Sequence, residues 1–239
     1  MTDDHALPCP YFQVNFKIYP GTSGDDGLAL AQMVERVQAE TNATFVLTPQ
    51  VPDLQRIAAG TDLVVTTPVV DGVEPGRGIG KVLPETVAAA GASSAIINHA
   101  GDRDTLSAVK RKIRRCDEVG MDSIVCVDSI EMCRAVATFD PDSMVFEKPA
   151  DISTDRAITQ THPDRVRAFV EMVDNKNPRT KILVGGGISA GEDVRLAFKQ
   201  GADATGAASA ISLEDDPAGR LKIDRYGLRI ISNAGHSSP

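Results

Sequence analysis

The chain has 239 residues, with 25 Lys and Arg against 33 Asp and Glu and a formal charge of −8. That balance argues against non-specific nucleic-acid binding, which needs basic surface to displace counterions, and no apolar run approaches the roughly 20 residues that span a bilayer. The length suits one large domain or two small ones, big enough to need no disulfide or metal staple.

The N-terminus opens acidic, Met1-Thr2-Asp3-Asp4, without the basic-then-apolar order of a signal peptide, so a soluble protein in the cytoplasm is expected. Residues 11–18 form the first β-type run. Residues 25–39 follow with Leu28, Leu30, Met33, Val34 and Val37 at helical spacing on one face. Three more strand-like runs come at 44–47, 63–66 and 95–98. A helix is predicted over 105–119, with Leu106, Val109, Ile113 and Cys116 inward and the Lys and Arg residues outward. Runs at 123–127 and 143–146 precede a helical stretch, 154–173, that is clearest from Pro163, where proline suits the first turn. The run 181–184 leads through Gly185-Gly186-Gly187 to Ser189, read as an N-cap for a helix over 190–200 that ends before Gly201. An Ala-rich run at 204–208 is the eighth.

Each run is short, apolar on both faces and bounded by turn residues, as strands of a covered parallel sheet are. Eight strand–helix units without a mid-chain linker predict an α/β fold, a single-domain (β/α)8 barrel spanning 1–239, with 1–10 and 232–239 as flexible ends. An open doubly wound sheet is the competing arrangement. The four cysteines, Cys9, Cys116, Cys126 and Cys133, show no zinc or redox spacing and read as reduced apolar residues, with a nucleophilic role left open for Cys126. No His, Cys or Asp cluster has metal-ligand spacing, so no metal and no cofactor is expected.

In such a barrel the reacting groups stand where strands end and loops begin, at the C-terminal face. That criterion selects Asn15 and Lys17, read as two apart on one side of a strand, then Asn98-His99, Glu147, the glycines Gly185 to Gly187, and Gly206-Ala207-Ala208-Ser209. A carboxylate, an imidazole and an ammonium around one cavity can move a proton beside a carbonyl. The Glu abstracts, the His polarises or shuttles, and the Lys stabilises the oxyanion. Backbone N–H groups after the seventh and eighth strands can hold an anion such as phosphate. Singly, each residue has a structural alternative: Lys17 a solvated charge, His99 a hydrogen-bonded structural histidine, Glu147 a salt bridge to Lys148 or Arg156.

Asn15-Phe16-Lys17 resembles the first strand end of triosephosphate isomerases, and the compact chain resembles their archaeal branch. Ile97-Asn98-His99 is similar to that branch's fourth strand and electrophilic histidine, and Glu147 with Pro149 to its catalytic glutamate and lid. The most specific match is Gly186-Gly187-Ile188-Ser189-Ala190-Gly191-Glu192-Asp193-Val194, similar to its phosphate-binding turn. Residues 76–80 with Leu83-Pro84-Glu85 are similar to its dimer-forming third loop. Together the resemblance covers about residues 11–213.

It implies a TIM barrel and cofactor-free isomerisation of glyceraldehyde 3-phosphate and glycerone phosphate, in glycolysis or gluconeogenesis, by Glu147, His99, Lys17 and Asn15. It also implies phosphate contacts from Ser153, Gly186, Gly187, Ala207, Ala208 and Ser209, and a homodimer or homotetramer. The glutamate paired with a neutral histidine is that family's own known arrangement. There are departures. Ala100-Gly101-Asp102 stand where the family carries Ser-Glu-Arg, so the carboxylate usually beside the lysine is missing. Residues 148–155 lack the lid's two glycines, and Ile79 replaces a threonine. Two alternatives follow from these changes: an isomerase of another short phosphosugar such as a tetrulose phosphate, and a non-catalytic phosphometabolite-binding protein.

Overall fold

The structure is a computed structural model that describes residues 7–41, 43–151, 154 and 156–222. Eight parallel strands close into a barrel in chain order: β1 (Tyr11–Asn15), β2 (Phe45–Thr48), β3 (Val64–Thr67), β4 (Ala92–Ile97), β5 (Asp122–Val127), β6 (Ser143–Phe146), β7 (Lys181–Val184) and β8 (Ala204–Ala207). All eight expected strands form. The competing open sheet is excluded because β1 pairs with β8 as well as β2, Tyr11 opposite Ala204 and Val14 opposite Ala207. Small residues permit that closure: a Cβ at Gly206 would stand 2.4 Å from the Gln13 carbonyl oxygen.

Around the barrel run α1 (Gly24–Thr41), α2 (Leu54–Gly60), α3 (Pro84–Ala89), α4 (Leu106–Val119), α5 (Ile130–Ala137), α6 (Ile158–Thr161), α7 (Pro163–Lys176), α8 (Gly191–Lys199) and α9 (Ser209–Ser212). Strand alternation divides the core. Tyr11, Val46, Ile96, Ile124, Cys126, Val145 and Leu183 pack together inside the barrel, while their neighbours Phe12, Leu47, Ile97, Val125, Phe146 and Val184 face the helices. α4 is capped by the Thr105 hydroxyl, which accepts from the Ala108 N–H, and ends at left-handed Gly120.

Five local expectations need correction. In α4, Leu106 is exposed rather than inward, and Lys112 and Arg115 are buried rather than outward, held by Asp104 and by Glu85 and Glu118. The first strand stops at Asn15, because Lys17 takes a left-handed φ of 50° that ends the pleat. The stretch 154–173 is two helices rather than one, divided at His162, which stands outside helical geometry just before Pro163. The N-cap of α8 is Ala190, not Ser189, and the Asp193 carboxylate receives the exposed N–H groups there. Residues 7–10, expected to be flexible, meet the barrel's lower end, where Leu7 is buried and its N–H donates to Asp122 Oδ2 at 3.2 Å. Residues 1–6 and 232–239 lie outside the described residues, as does Ser153. Among the described residues no helix is long and apolar enough to cross a membrane.

Phe146 and Phe169 stack at 5.1 Å between centroids, tying α7 to the strand that carries Glu147 at its end. Phe169 is fully buried, so Phe169→Ala is expected to lower unfolding stability by about 3–5 kcal/mol. Denaturant titration checks this, and a loss below about 1 kcal/mol would contradict the packing described.

Candidate functional site

The mouth of the barrel gathers residues from five strand ends. Gln13 and Asn15 point inward by alternation, and with Lys17, Glu147, Gly186, Gly187, Ala207, Ala208 and Ser209 they line one pocket. Glu147 follows inward-facing Val145 by two positions, which carries its side chain into the same space. His99 would face outward if β4 ran on. Asn98 breaks the alternation at φ 61°, a conformation asparagine tolerates better than most side chains. Its amide holds the bend: Nδ2 donates to Cys126 O at 2.8 Å, and Oδ1 accepts from Asp104 N–H at 3.0 Å.

Lys17 is aimed by a second left-handed residue, itself, with its N–H donating to Asn15 Oδ1 at 2.9 Å. Lys17 Nζ lies 2.8 Å from His99 Nε2, and His99 Nε2 lies 3.8 Å from Glu147 Oε2. The Gly101 N–H donates to His99 Nδ1 at 3.0 Å. Nδ1 is therefore an acceptor, and the proton of a neutral ring sits on Nε2. At 2.8 Å the Nε2–H and the Lys17 ammonium set donor against donor, an unfavourable contact that one acceptor oxygen entering between them would relieve.

Burial, then Lys17, then Arg103 hold the His99 imidazole down at about 4, so it is neutral at physiological pH. Burial raises the Glu147 carboxyl above its ordinary value, opposed by Lys17 and Arg103. Glu147 Oε2 has no hydrogen-bond partner among the described residues. The expected alternative, a salt bridge to Lys148 or Arg156, does not form; Lys148 Nζ instead meets His162 Nε2 at 2.5 Å. A half-buried carboxylate with one buried, unpartnered oxygen beside a neutral imidazole is equipped to take a proton from carbon.

Opposite these groups, the chain after β7 turns at Gly186 (φ 93°) and Gly187 (φ 71°), both left-handed. A Cβ at Gly187 would stand 2.2 Å from Arg156 O, so only glycine fits this close approach. The turn faces the backbone of Ala207, Ala208 and Ser209 across the pocket, the place where such barrels bind phosphate.

Cys126 is not a nucleophile in this setting: it is buried in the barrel interior and burial raises its thiol well above the ordinary value. Cys9, Cys116 and Cys133 are free as well, the last two pushed up to about 12. Two participants escaped the sequence reading. Gln13 enters the pocket with its Nε2 donating to Thr48 Oγ1 at 2.9 Å, and its place two before Asn15 was the available signal. Arg103, paired with Asp128 at the end of β5, adds a second cation near both Glu147 and His99. Nothing in its own loop marked it.

A family model described as triosephosphate isomerase matches residues 10–219. The triosephosphate isomerase of Methanobacterium bryantii is 35% identical over 208 residues, covering 87% of this chain and 92% of that protein. That of Methanopyrus kandleri is 35% identical over 213 residues, covering 88% and 94%. Among solved structures, triosephosphate isomerase from Bartonella henselae superposes with a TM-score of 0.72 at 15% identity, covering 92% of this chain and 99% of that one, a likeness of fold.

The hydrogen-bond arrangement predicts that nitrogen-15 NMR will find His99 as the Nε2–H tautomer, neutral from pH 8 down to about 5 and protonated only near about 4. A midpoint near the ordinary value of about 6.5 would contradict it.

Proposed function

The chain belongs to the triosephosphate isomerase family, in its archaeal-type branch, and from that membership we propose that it interconverts glyceraldehyde 3-phosphate and glycerone phosphate as an intramolecular aldose–ketose isomerase. The unpartnered, buried Oε2 of Glu147 facing a neutral His99 carries the reading. Glu147 takes the proton from the carbon beside the carbonyl, leaving an enediolate. The His99 Nε2–H and the Lys17 ammonium stabilise the oxygen that gains charge, and Asn15 adds a hydrogen bond. Glu147 then returns a proton to the adjacent carbon while His99 passes one between the two oxygens. Atoms balance without any cofactor, and carbonyl and hydroxyl have exchanged places.

The phosphate is held by backbone N–H groups of Gly186, Gly187, Ala207, Ala208 and Ser209, with Ser153 as a further contact suggested by the family pattern. Names of the two archaeal relatives favour the triose over a longer phosphosugar or a non-catalytic binder. Self-association into a homodimer or homotetramer is part of the proposal. It is supported by the loop after β3, where Ile79 is 96% exposed, an apolar side chain left in water. A free phosphosugar substrate suits an enzyme of the cytoplasm.

Glu147→Gln keeps the shape and removes the base. In a coupled assay with glyceraldehyde 3-phosphate its kcat is expected to fall by roughly 1,000-fold or more, with KM within a few-fold of the parent. Comparable turnover in the variant would remove Glu147 from the role. In the parent, kcat/KM should rise with pH through the raised Glu147 pKa, because the ionised form is the base, and show no second step near about 6.5.

A further inference from the structure

The turn after β7 and the chain running on from Glu147 are fastened together along one line. Gly187 packs flat against Arg156 and Ala157. The Ile158 N–H donates to Gly186 O at 3.2 Å, and Gln200 Nε2 donates to Thr159 O at 2.9 Å. At the centre stands Asp193, 2% exposed. Its Oδ2 accepts from the Ser189 and Ala190 N–H groups, each at 3.0 Å, and its Oδ1 accepts from the Gln160 side-chain amide.

All three partners are donors, so a carboxylate satisfies them, whereas an amide at 193 would set a donor against a donor on one side. Capping α8 accounts for the Oδ2 bonds alone. The Oδ1 bond leaves the helix altogether and reaches a residue 33 positions earlier in the chain. Gln160 is in α6, between Glu147 and α7, while Ser189 lines the reaction pocket. The Asp193 carboxylate therefore joins the segment that follows the base to the turn that faces an anion.

We propose that Asp193 and Gln160 are a positioning pair for the anion-binding turn. Asp193 draws the Ser189 and Ala190 peptides toward itself and fixes the orientation of the Gly186–Gly187 backbone. Gln160 sets where that carboxylate stands relative to the chain leaving Glu147. The pair thus fixes the separation between bound phosphate and proton-abstracting carboxylate, a distance on which attack geometry depends steeply. This inference rests on the phosphosugar reading of the site.

Gln160 is exposed, so Gln160→Met removes the amide without opening the core, and its unfolding temperature should match the parent. Inorganic phosphate is titrated into both proteins, and turnover is measured with glyceraldehyde 3-phosphate and with glyceraldehyde, which lacks the phosphate. The variant is expected to bind phosphate about three- to tenfold more weakly and to lose at least that factor in kcat/KM on the phosphorylated substrate. Turnover of glyceraldehyde should stay within about twofold. Gln160→Glu, which sets a second carboxylate against Asp193, should lose more on both phosphate readouts. Unchanged phosphate affinity, or equal losses on the two substrates, would overturn the pair's role. A parent protein that binds phosphate but isomerises neither substrate would overturn the proposed function while the titration still judged the pair. A parent that binds no phosphate would overturn both.

Discussion

Side chains on a strand alternate, and in a closed barrel one of the two sets has nowhere to go but inward. The carboxylate of the proposed site and Asn15 beside it depend on that constraint. Along most of each strand the inward set is apolar and fills the interior: Tyr11, Val46, Ile96, Ile124, Val145 and Leu183. At the C-terminal rim the same set becomes Asn15 and Glu147, which converge because eight strand ends form one small ring. The barrel that hides apolar surface also removes water from a carboxylate. Burial alone disfavours the charged form of Glu147; Lys17 and Arg103 offset part of that cost by favouring it.

Alternation cannot aim everything. Lys17 and Asn98 depart from it through left-handed backbone, each at a cost of roughly 1–2 kcal/mol in such conformations, more lightly borne by asparagine. The Asn98 bend is compensated by bonds to Cys126 and Asp104, and it turns His99 toward the pocket. The left-handed Lys17 brings its ammonium to His99. Where the family pattern has a carboxylate beside the lysine, Gly101 contributes its backbone N–H to His99 Nδ1. Arg103, held by Asp128, adds a cation at the rim. Two cations, Lys17 and Arg103, favour the charged form of the base, and the imidazole presents a proton on Nε2.

How much of this the sequence disclosed follows from the range of the forces involved. The eight strands were legible because runs apolar on both faces with β-branched residues mean burial wherever they occur, and even the Ala-rich β8 formed. α1, α4 and α7 carry three or more turns of periodicity and were legible too. α2, α3 and α5, of six to eight residues, show too little period to stand out. Glu147, His99, Lys17 and Asn15 were legible by position at strand ends, but the left-handed turn at Lys17 was not, since residue identity argues against it. The Gln160–Asp193 link was beyond reach because it is a contact across 33 positions, and the Ser189 cap was misread because the Asp193 carboxylate, three and four positions on, is the acceptor for that turn.

The central claim is that a carboxylate at Glu147 moves a proton between neighbouring carbons. The most direct measurement is isomerisation of glyceraldehyde 3-phosphate in D2O, with the product examined by NMR. Proton transfer through Glu147, which exchanges with solvent while the enediolate is bound, predicts glycerone phosphate carrying carbon-bound deuterium in a substantial share of molecules, and loss of that signal together with turnover in Glu147→Gln. Isomerised product free of carbon-bound deuterium, or labelling that persists in the variant, would contradict it.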